Sequence, residues 1–222
     1  MIIDAQSLWV AQTNSWIVSI DDKECVLIDI PPDPNQVAAR VRELGVRVAA
    51  VIATHGHVDH TGGITSYLSN QGTQTLPVHL HPKDRHMVDD PVGSAPMLGA
   101  LLLEAGVQTT PPEFIVDIED GDVISGAGMR FSVLHTPGHT QGSVCLLLED
   151  TPAGSMLFSG DHLFRDSIGR TDLPGGSYEQ LMESMRTKIR PLDDAMGVFP
   201  GHGPTTTIGR EKDHNPFLAE LR

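Results

Sequence analysis

Residues 54–63 read THGHVDHTGG, with three histidines and an aspartate inside the six positions His55–His60, directly behind the apolar run VAAVIAT (Val48–Thr54). In extended backbone, His55 and His57 project the same way, whereas positions two apart on a helix diverge by about 200°. Asp59 and His60 follow at the turn, and Thr61-Gly62-Gly63 can open the next helix. One short loop therefore aims four ligands at a small volume beyond the carboxyl end of a strand. Imidazole nitrogens and carboxylate oxygens are what zinc or iron(II) take when sulfur is absent.

Three further candidates end apolar runs elsewhere. His139 lies in HTPGHTQGS just past FSVLHT (Phe131–Thr136), Asp161 ends MLFSGD, and His202 ends GVFPGH. Each has glycine within one residue, where backbone and metal can approach closely. Seven candidates in four loops suffice for two metals that share one carboxylate. Taken singly, each histidine reads as a hydrogen-bonded strand-end residue, and Asp59 or Asp161 as a cap or turn residue. Jointly, metal binding is the better account. A purely structural zinc site is typically Cys-rich and closed, so a His/Asp set spread over loops looks open and catalytic.

The rest of the chain bounds the setting. At 222 residues it fits one large domain with an ample core. A formal charge of −14 argues against sequence-independent nucleic-acid binding and against an anionic membrane surface. MIIDAQSLWVAQ lacks the basic head and long apolar stretch of a secretory signal, and no run approaches a membrane span, so the expected compartment is the cytoplasm. Cys25 and Cys145 each sit in apolar runs and read as buried thiols. Strands are expected at Ser15–Ile20 and Glu24–Ile30 (a hairpin), Val48–Thr54, Pro77–His81, Phe131–Thr136, Ser143–Glu149, Met156–Asp161 and Gly197–His202. Helices are expected at Asn35–Leu44, closed by Gly45, at Ser177–Ile189, and around Ala95–Ala105. Asp90–Pro96 and Thr109–Pro112 read as loops, and the alternation gives a single α/β domain.

The order H-x-H-x-D-H at His55–His60, then His139, Asp161 and His202, resembles the metallo-β-lactamase superfamily over nearly the whole chain. The resemblance implies a four-layer αββα sandwich (α/β, or α+β, in class) with the site at one edge of two sheets. It implies that His55, His57 and His139 hold one metal, that Asp59, His60 and His202 hold the other, and that Asp161 bridges them. HTPGHTQGSVCL, FSGDHLFRDSIGRTDLPGG and FPGHGPTTTIGREKDHNPFL are similar to the short glyoxalase II-like (hydroxyacylglutathione hydrolase-like) enzymes. Residues 1–222 would then form one hydrolase domain without the C-terminal helical domain of longer glyoxalase II enzymes. The aromatic Gly-Arg-Phe-type loop of those enzymes is replaced by Gly169-Arg170-Thr171-Asp172, and His162 stands where the group has a smaller hydroxyl residue.

The implied activity is hydrolysis of a small-molecule thioester such as S-(2-hydroxyacyl)glutathione. Two divalent ions, zinc first with iron or manganese as alternatives, would supply a bound hydroxide. Asp59 would be both ligand and water-orienting residue. The resemblance leaves rivals: a persulfide dioxygenase with one iron on His55, His139 and Asp161, a lactone hydrolase, or a metal-binding protein without turnover. Arg165 and Arg170 are expected to pair with Asp166 and Asp172; the alternative sets Arg170 near a substrate carboxylate. His135 is read as support for a ligand or as a strand-end hydrogen bond, and His162 as support or surface. His79, His81, His86 and His214 are read as non-ligands, and the stripe Met97–Leu102 as core packing, with a pocket wall or lid as the alternative.

Overall fold

The apolar runs become two six-stranded sheets in a computed structural model that describes residues 1–104 and 110–221. The first sheet runs in chain order: β1 (Ile2–Leu8), β2 (Thr13–Ser19), β3 (Glu24–Ile28), β4 (Arg47–Ile52), β5 (Val78–Leu80) and β6 (Ile115–Asp117). Its first three strands pair antiparallel and β3 to β6 pair parallel. The second holds β7 (Val123–Gly126), β8 (Met129–His135), β9 (Val144–Leu148) and β10 (Met156–Gly160). A two-stranded excursion, β11 (Leu163–Phe164) with β12 (Ser167–Ile168), precedes its last strands, β13 (Gly197–Pro200) and β14 (Thr206–Thr207). The order is β14-β13-β10-β9-β8-β7, and only β10–β13 is parallel.

Side chains alternate across each strand, and here both faces are apolar. Trp16, Val18, Val26 and Ile28 point inward to meet Phe131, Val133, Leu146 and Phe158 of the second sheet. Their neighbours Ile17, Cys25 and Leu27 face outward, under Val37 and Val41 of α1 (Asn35–Leu44). The remaining helices are α2 (Val58–Thr61), α3 (Ile64–Gln71), α4 (Arg85–Asp89), α5 (Pro91–Ser94), α6 (Pro96–Glu104), α7 (Tyr178–Ser184), α8 (Ile208–His214) and α9 (Pro216–Ala219). From these, α3 joins the outer layer of the first sheet, while α7, α8 and the π turn Met185–Ile189 cover the second over Cys145, Leu147 and Leu157. The result is helix, sheet, sheet, helix. Both cysteines are buried and free, and no described helix is long and apolar enough to cross a membrane.

Most expected elements are present with shifted ends: Gly45 closes α1 at φ 69°, and the Ser177 hydroxyl caps α7 by accepting from the Gln180 amide. Three corrections follow. Strands β1, β6, β7, β11, β12 and β14 lie where none was expected; the first is half-exposed and only weakly patterned, and the others are two to four residues long. Asp90–Pro96 is not all loop, because Asp90 caps the single turn α5 through the Gly93 amide. The helix expected at Ala95–Ala105 starts at Pro96 and is described to Glu104; Ala105, Thr109 and the Met97 side chain lie outside the described residues.

Phe158 is fully buried between the sheets, with its ring centroid 5.2 Å from Phe199 and 6.1 Å from Trp16. Phe158→Ala should lower stability to urea by about 3–5 kcal/mol, the range for truncating a buried aromatic ring. A loss below about 1 kcal/mol would mean that this intersheet layer does not hold the sandwich together.

Candidate metal centre

All seven candidates converge at one edge of the sandwich, just past the ends of β4, β8, β10 and β13. His55 and His57 lie on the loop after β4, Asp59 and His60 on the one-turn helix α2, and His139 between β8 and β9. Asp161 follows β10 directly, and His202 follows β13. The His57 Nδ1 lies 3.1 Å from the His55 Nε2 and 2.9 Å from the His139 Nε2. A second group has the His60 Nε2 at 3.2 Å from the His202 Nε2, and the Asp59 Oδ2 at 3.6 and 3.4 Å from these two nitrogens. The Asp161 carboxylate reaches both groups, with Oδ1 3.3 Å from His60 and Oδ2 3.6 Å from His139 and 3.4 Å from His202.

What surrounds the rings decides which atoms face inward. His139 donates through Nδ1 to the Arg170 carbonyl at 2.7 Å, and His202 through Nδ1 to the Ala11 carbonyl at 3.1 Å. The Nδ1 of His60 bonds the Asp29 carboxylate at 2.7 Å. The Thr54 hydroxyl donates to Asp29 at 2.8 Å and so accepts from the His55 Nδ1 at 3.1 Å. Four rings are thereby fixed with Nε2 directed at the centre, the arrangement by which outer partners orient metal ligands. Asp59 is steadied by the Thr13 hydroxyl at 3.2 Å. Glycine is required at 201, because a Cβ there would collide with the Asp161 carboxylate and the His60 ring.

Charge in the cage is arranged for cation uptake. Burial, reinforced by His60 and His139, holds His55 well below the ordinary imidazole range; burial and His139 bring His57 to about 4. Burial also opposes charge on His60, but Asp161, Asp29 and Asp59 outweigh it and raise that ring well above 6.5. His202 is raised to about 9, again against burial, by Asp161 and Asp59. Burial would raise Asp161, yet His60 and His202 hold it well below the usual carboxylate range. His60 and His202 are thus the rings whose protonation the neighbouring acids favour, and a divalent ion would displace such protons on binding.

The residues fit such an ion. Tetrahedral zinc at about 2.0–2.1 Å from nitrogen spaces its ligands roughly 3.3 Å apart, close to the spacing of the first group. The Asp161 Oδ1 is buried without a hydrogen-bond partner. Three groups, His55/His57/His139, His55/His60/Asp161 and Asp59/His60/His202, each keep their donor atoms within 4.8 Å of one another. Residues 8–202 match the Metallo-beta-lactamase superfamily.

The chain belongs to that superfamily.

Among its superfamily relatives, hydroxyacylglutathione hydrolase GloC of Haemophilus influenzae is 33% identical over 93% of each chain. Among solved structures, the BLEG-1 B3 metallo-beta-lactamase is 37% identical with a TM-score of 0.82, covering 98% of this chain and 99% of that one. TTHA1623 in a di-iron-bound form is 34% identical with a TM-score of 0.80, covering 97% and 100%. The αββα fold and the His/Asp metal-binding groups are therefore those of a superfamily metallohydrolase.

Among the remaining residues, Arg170 pairs with Asp172 through two 2.7 Å bonds, as expected, and its carbonyl holds His139. Asp166 bonds Arg210 at 2.8 and 3.0 Å, while Arg165 acts on it through charge at longer range. His135 makes the strand-end hydrogen bond, to the Gln141 carbonyl at 2.9 Å, and stacks on His81 at 4.2 Å rather than on a candidate ligand. His162 is 1% exposed, which rules out the surface reading, and neither ring nitrogen has a partner. His79, His81, His86 and His214 fall in none of the three donor groups.

Two buried acids were missed. Asp29 was visible as the lone charge after the apolar core of ECVLIDI. Asp84 had no comparable signal, yet it accepts from the Gly56 amide at 2.9 Å, the Thr140 hydroxyl at 2.6 Å and the Gly142 amide at 2.7 Å.

In the metal-free protein, opposite shifts set a stability maximum. His57, and His81 through burial and its neighbour His135, titrate at about 4, so above about pH 6.5 both states leave them neutral; below it the unfolded chain gains protons first. Their contribution is lost as pH falls toward 4. His202 contributes fully below about 6.5 and loses that as pH rises through about 9. The urea midpoint of metal-free protein should peak near about pH 6.5; a midpoint still climbing at pH 9 would contradict this balance. Gly201→Ala should cut bound metal per chain, measured by elemental analysis, while leaving the far-ultraviolet circular dichroism unchanged.

Proposed function

We propose that the protein is a dinuclear metallohydrolase that cleaves thioesters of the S-(2-hydroxyacyl)glutathione kind. The carrying observation is access: His57, Asp59, His139, Asp161 and His202 all border one open pocket of about 490 Å³. That volume suits a small-molecule substrate. His55, His57 and His139 would hold one ion, Asp59, His60 and His202 the other, and Asp161 would serve both. Zinc is the proposed occupant, with the di-iron relative supporting iron as an alternative. Bound divalent ions supply Lewis acidity and a water acidified to near neutral pH.

The protein's own groups do the rest. Asp59, tethered by Thr13, sets a carboxylate at the pocket floor where it would orient a water by accepting its proton in a hydrogen bond. Leu98, Phe164, Ile168 and Leu173 wall the pocket and limit bulk water. Among the described residues the lining offers no lysine, tyrosine or cysteine as a general acid. A thioester tolerates that, because its thiolate leaves as the base of a thiol with pKa near 8.5. The name of GloC supports the thioester choice. The complete second group, Asp59 with His60 and His202, favours two ions over the single iron of a persulfide dioxygenase.

The deciding experiment is metal stoichiometry together with thiol release from lactoylglutathione. His57→Ala should reduce release by more than about a hundredfold, beyond the losses typical of outer-partner substitutions, with the fold retained. Undiminished turnover in that variant would sink the assignment. So would a protein that carries one iron and consumes oxygen with glutathione persulfide, or one that opens lactones but spares thioesters.

A further inference from the structure

The pocket walls say more about the substrate than the metal-binding groups do. The pocket that the donors border is also lined by Ala95 and Leu98 of the α5–α6 segment, by Phe164 and Ile168 of the β11–β12 excursion, and by Leu173 and Pro174. The Phe164 ring stands edge-on to His202 with centroids 6.0 Å apart, so the apolar wall reaches the metal-binding groups themselves. Among the described residues, the polar lining beyond the donors consists of Ser94, Ser167 and one cation, Arg170. Arg170 gives its Nε and one of its two Nη nitrogens to Asp172, a bidentate pair that occupies one edge of the guanidinium, and the two residues stand 60% and 68% exposed. Arg165 is exposed and does not border the pocket.

Glutathione carries two carboxylates and an ammonium group. Recognising them takes charge-assisted donors placed in the site, which here reduce, among the described residues, to one guanidinium with a prior partner. The chain's net charge of −14 adds no general attraction for an anion. We infer that this pocket selects a thioester by apolar contact, and that a neutral thiol portion, an N-acylated cysteamine, serves at least as well as glutathione. The inference rests on the thioester reading and narrows it. Leu98 and Phe164 are then the specificity-determining residues, gripping the chain on either side of the sulfur, while the serine hydroxyls bond neutral amide or hydroxyl groups.

The test uses metal-loaded protein and two uncleavable thioethers, S-hexylglutathione and N-acetyl-S-hexylcysteamine, titrated calorimetrically. The neutral thioether is expected to bind as tightly as the glutathione one or more tightly, and Leu98→Ser to weaken both about tenfold, as loss of a partly buried leucine would. Should Leu98→Ser fail to fold, the wild-type comparison decides alone. Tighter binding of S-hexylglutathione by more than tenfold, with the margin erased by Arg170→Ala, would overturn the inference. Thiol release from the lactoyl esters of both thiols separates the two levels. Cleavage of both with the glutathione ester strongly preferred defeats only the neutral-thiol inference; cleavage of neither defeats the hydrolase assignment and this inference together.

Discussion

The metal-binding edge depends on two carboxylates that are not among the seven candidates. Asp84, fully buried, accepts two backbone amides and a threonine hydroxyl, and in doing so ties the loop of His55 and His57 to the loop of His139. Those loops hang from different sheets. Asp29 plays the same part on the other side, taking the Thr54 amide, the Thr54 hydroxyl and the His60 ring. An ionised carboxylate removed from water costs several kcal/mol unless its oxygens are fully bonded. Loosening either loop would leave carboxylate oxygens buried without partners, so the acids resist any drift of the rings they brace. Gly56 and Gly142 belong to this device, since a Cβ at either position would run into Asp84.

Bracing matters because the cage is internally unfavourable. Three imidazoles sit with ring nitrogens about as close as hydrogen-bonded atoms, and burial deprives them of water. In the absence of a cation, protons on His60 and His202 offset part of the strain from Asp59 and Asp161. Sites assembled for function commonly oppose the fold that carries them, and the surrounding core makes up the difference. Here that core is the double-faced packing of β2, β3, β8, β9 and β10. An ion that binds only the folded chain reverses the sign of the opposition and becomes a source of stability.

How much of this was legible follows the same physics. Runs such as VAAVIAT and ECVLIDI announce strands because both faces are buried, which leaves a nearly unbroken apolar signal. IIDAQSL at the edge of the sheet gives little, since only one of its residues is fully buried. The seven donors were legible because so many polar groups at the ends of apolar runs would be costly to bury without an ion between them. Asp84 was not: a lone aspartate after a proline and a lysine reads as a turn, and only the folded chain reveals what bonds to it. His162 shows the opposite limit. Its neighbourhood in sequence flagged it, but its burial without a partner could be learned only from packing.

The isolated bridge between Thr13 and His202, with the Asn14 amide bonded to the Gly201 carbonyl, joins the second strand to the end of the thirteenth. His60 and His202, whose Nε2 atoms lie 3.2 Å apart, are 142 positions apart along the chain. Small zinc modules whose ligands are close in sequence can be organised by the ion from the start, because closing their loops costs little entropy. Here the ring closure that completes the cage spans most of the polypeptide. An ion held by these rings would therefore join groups that only the condensed chain brings together, and would act as a lock on the finished architecture.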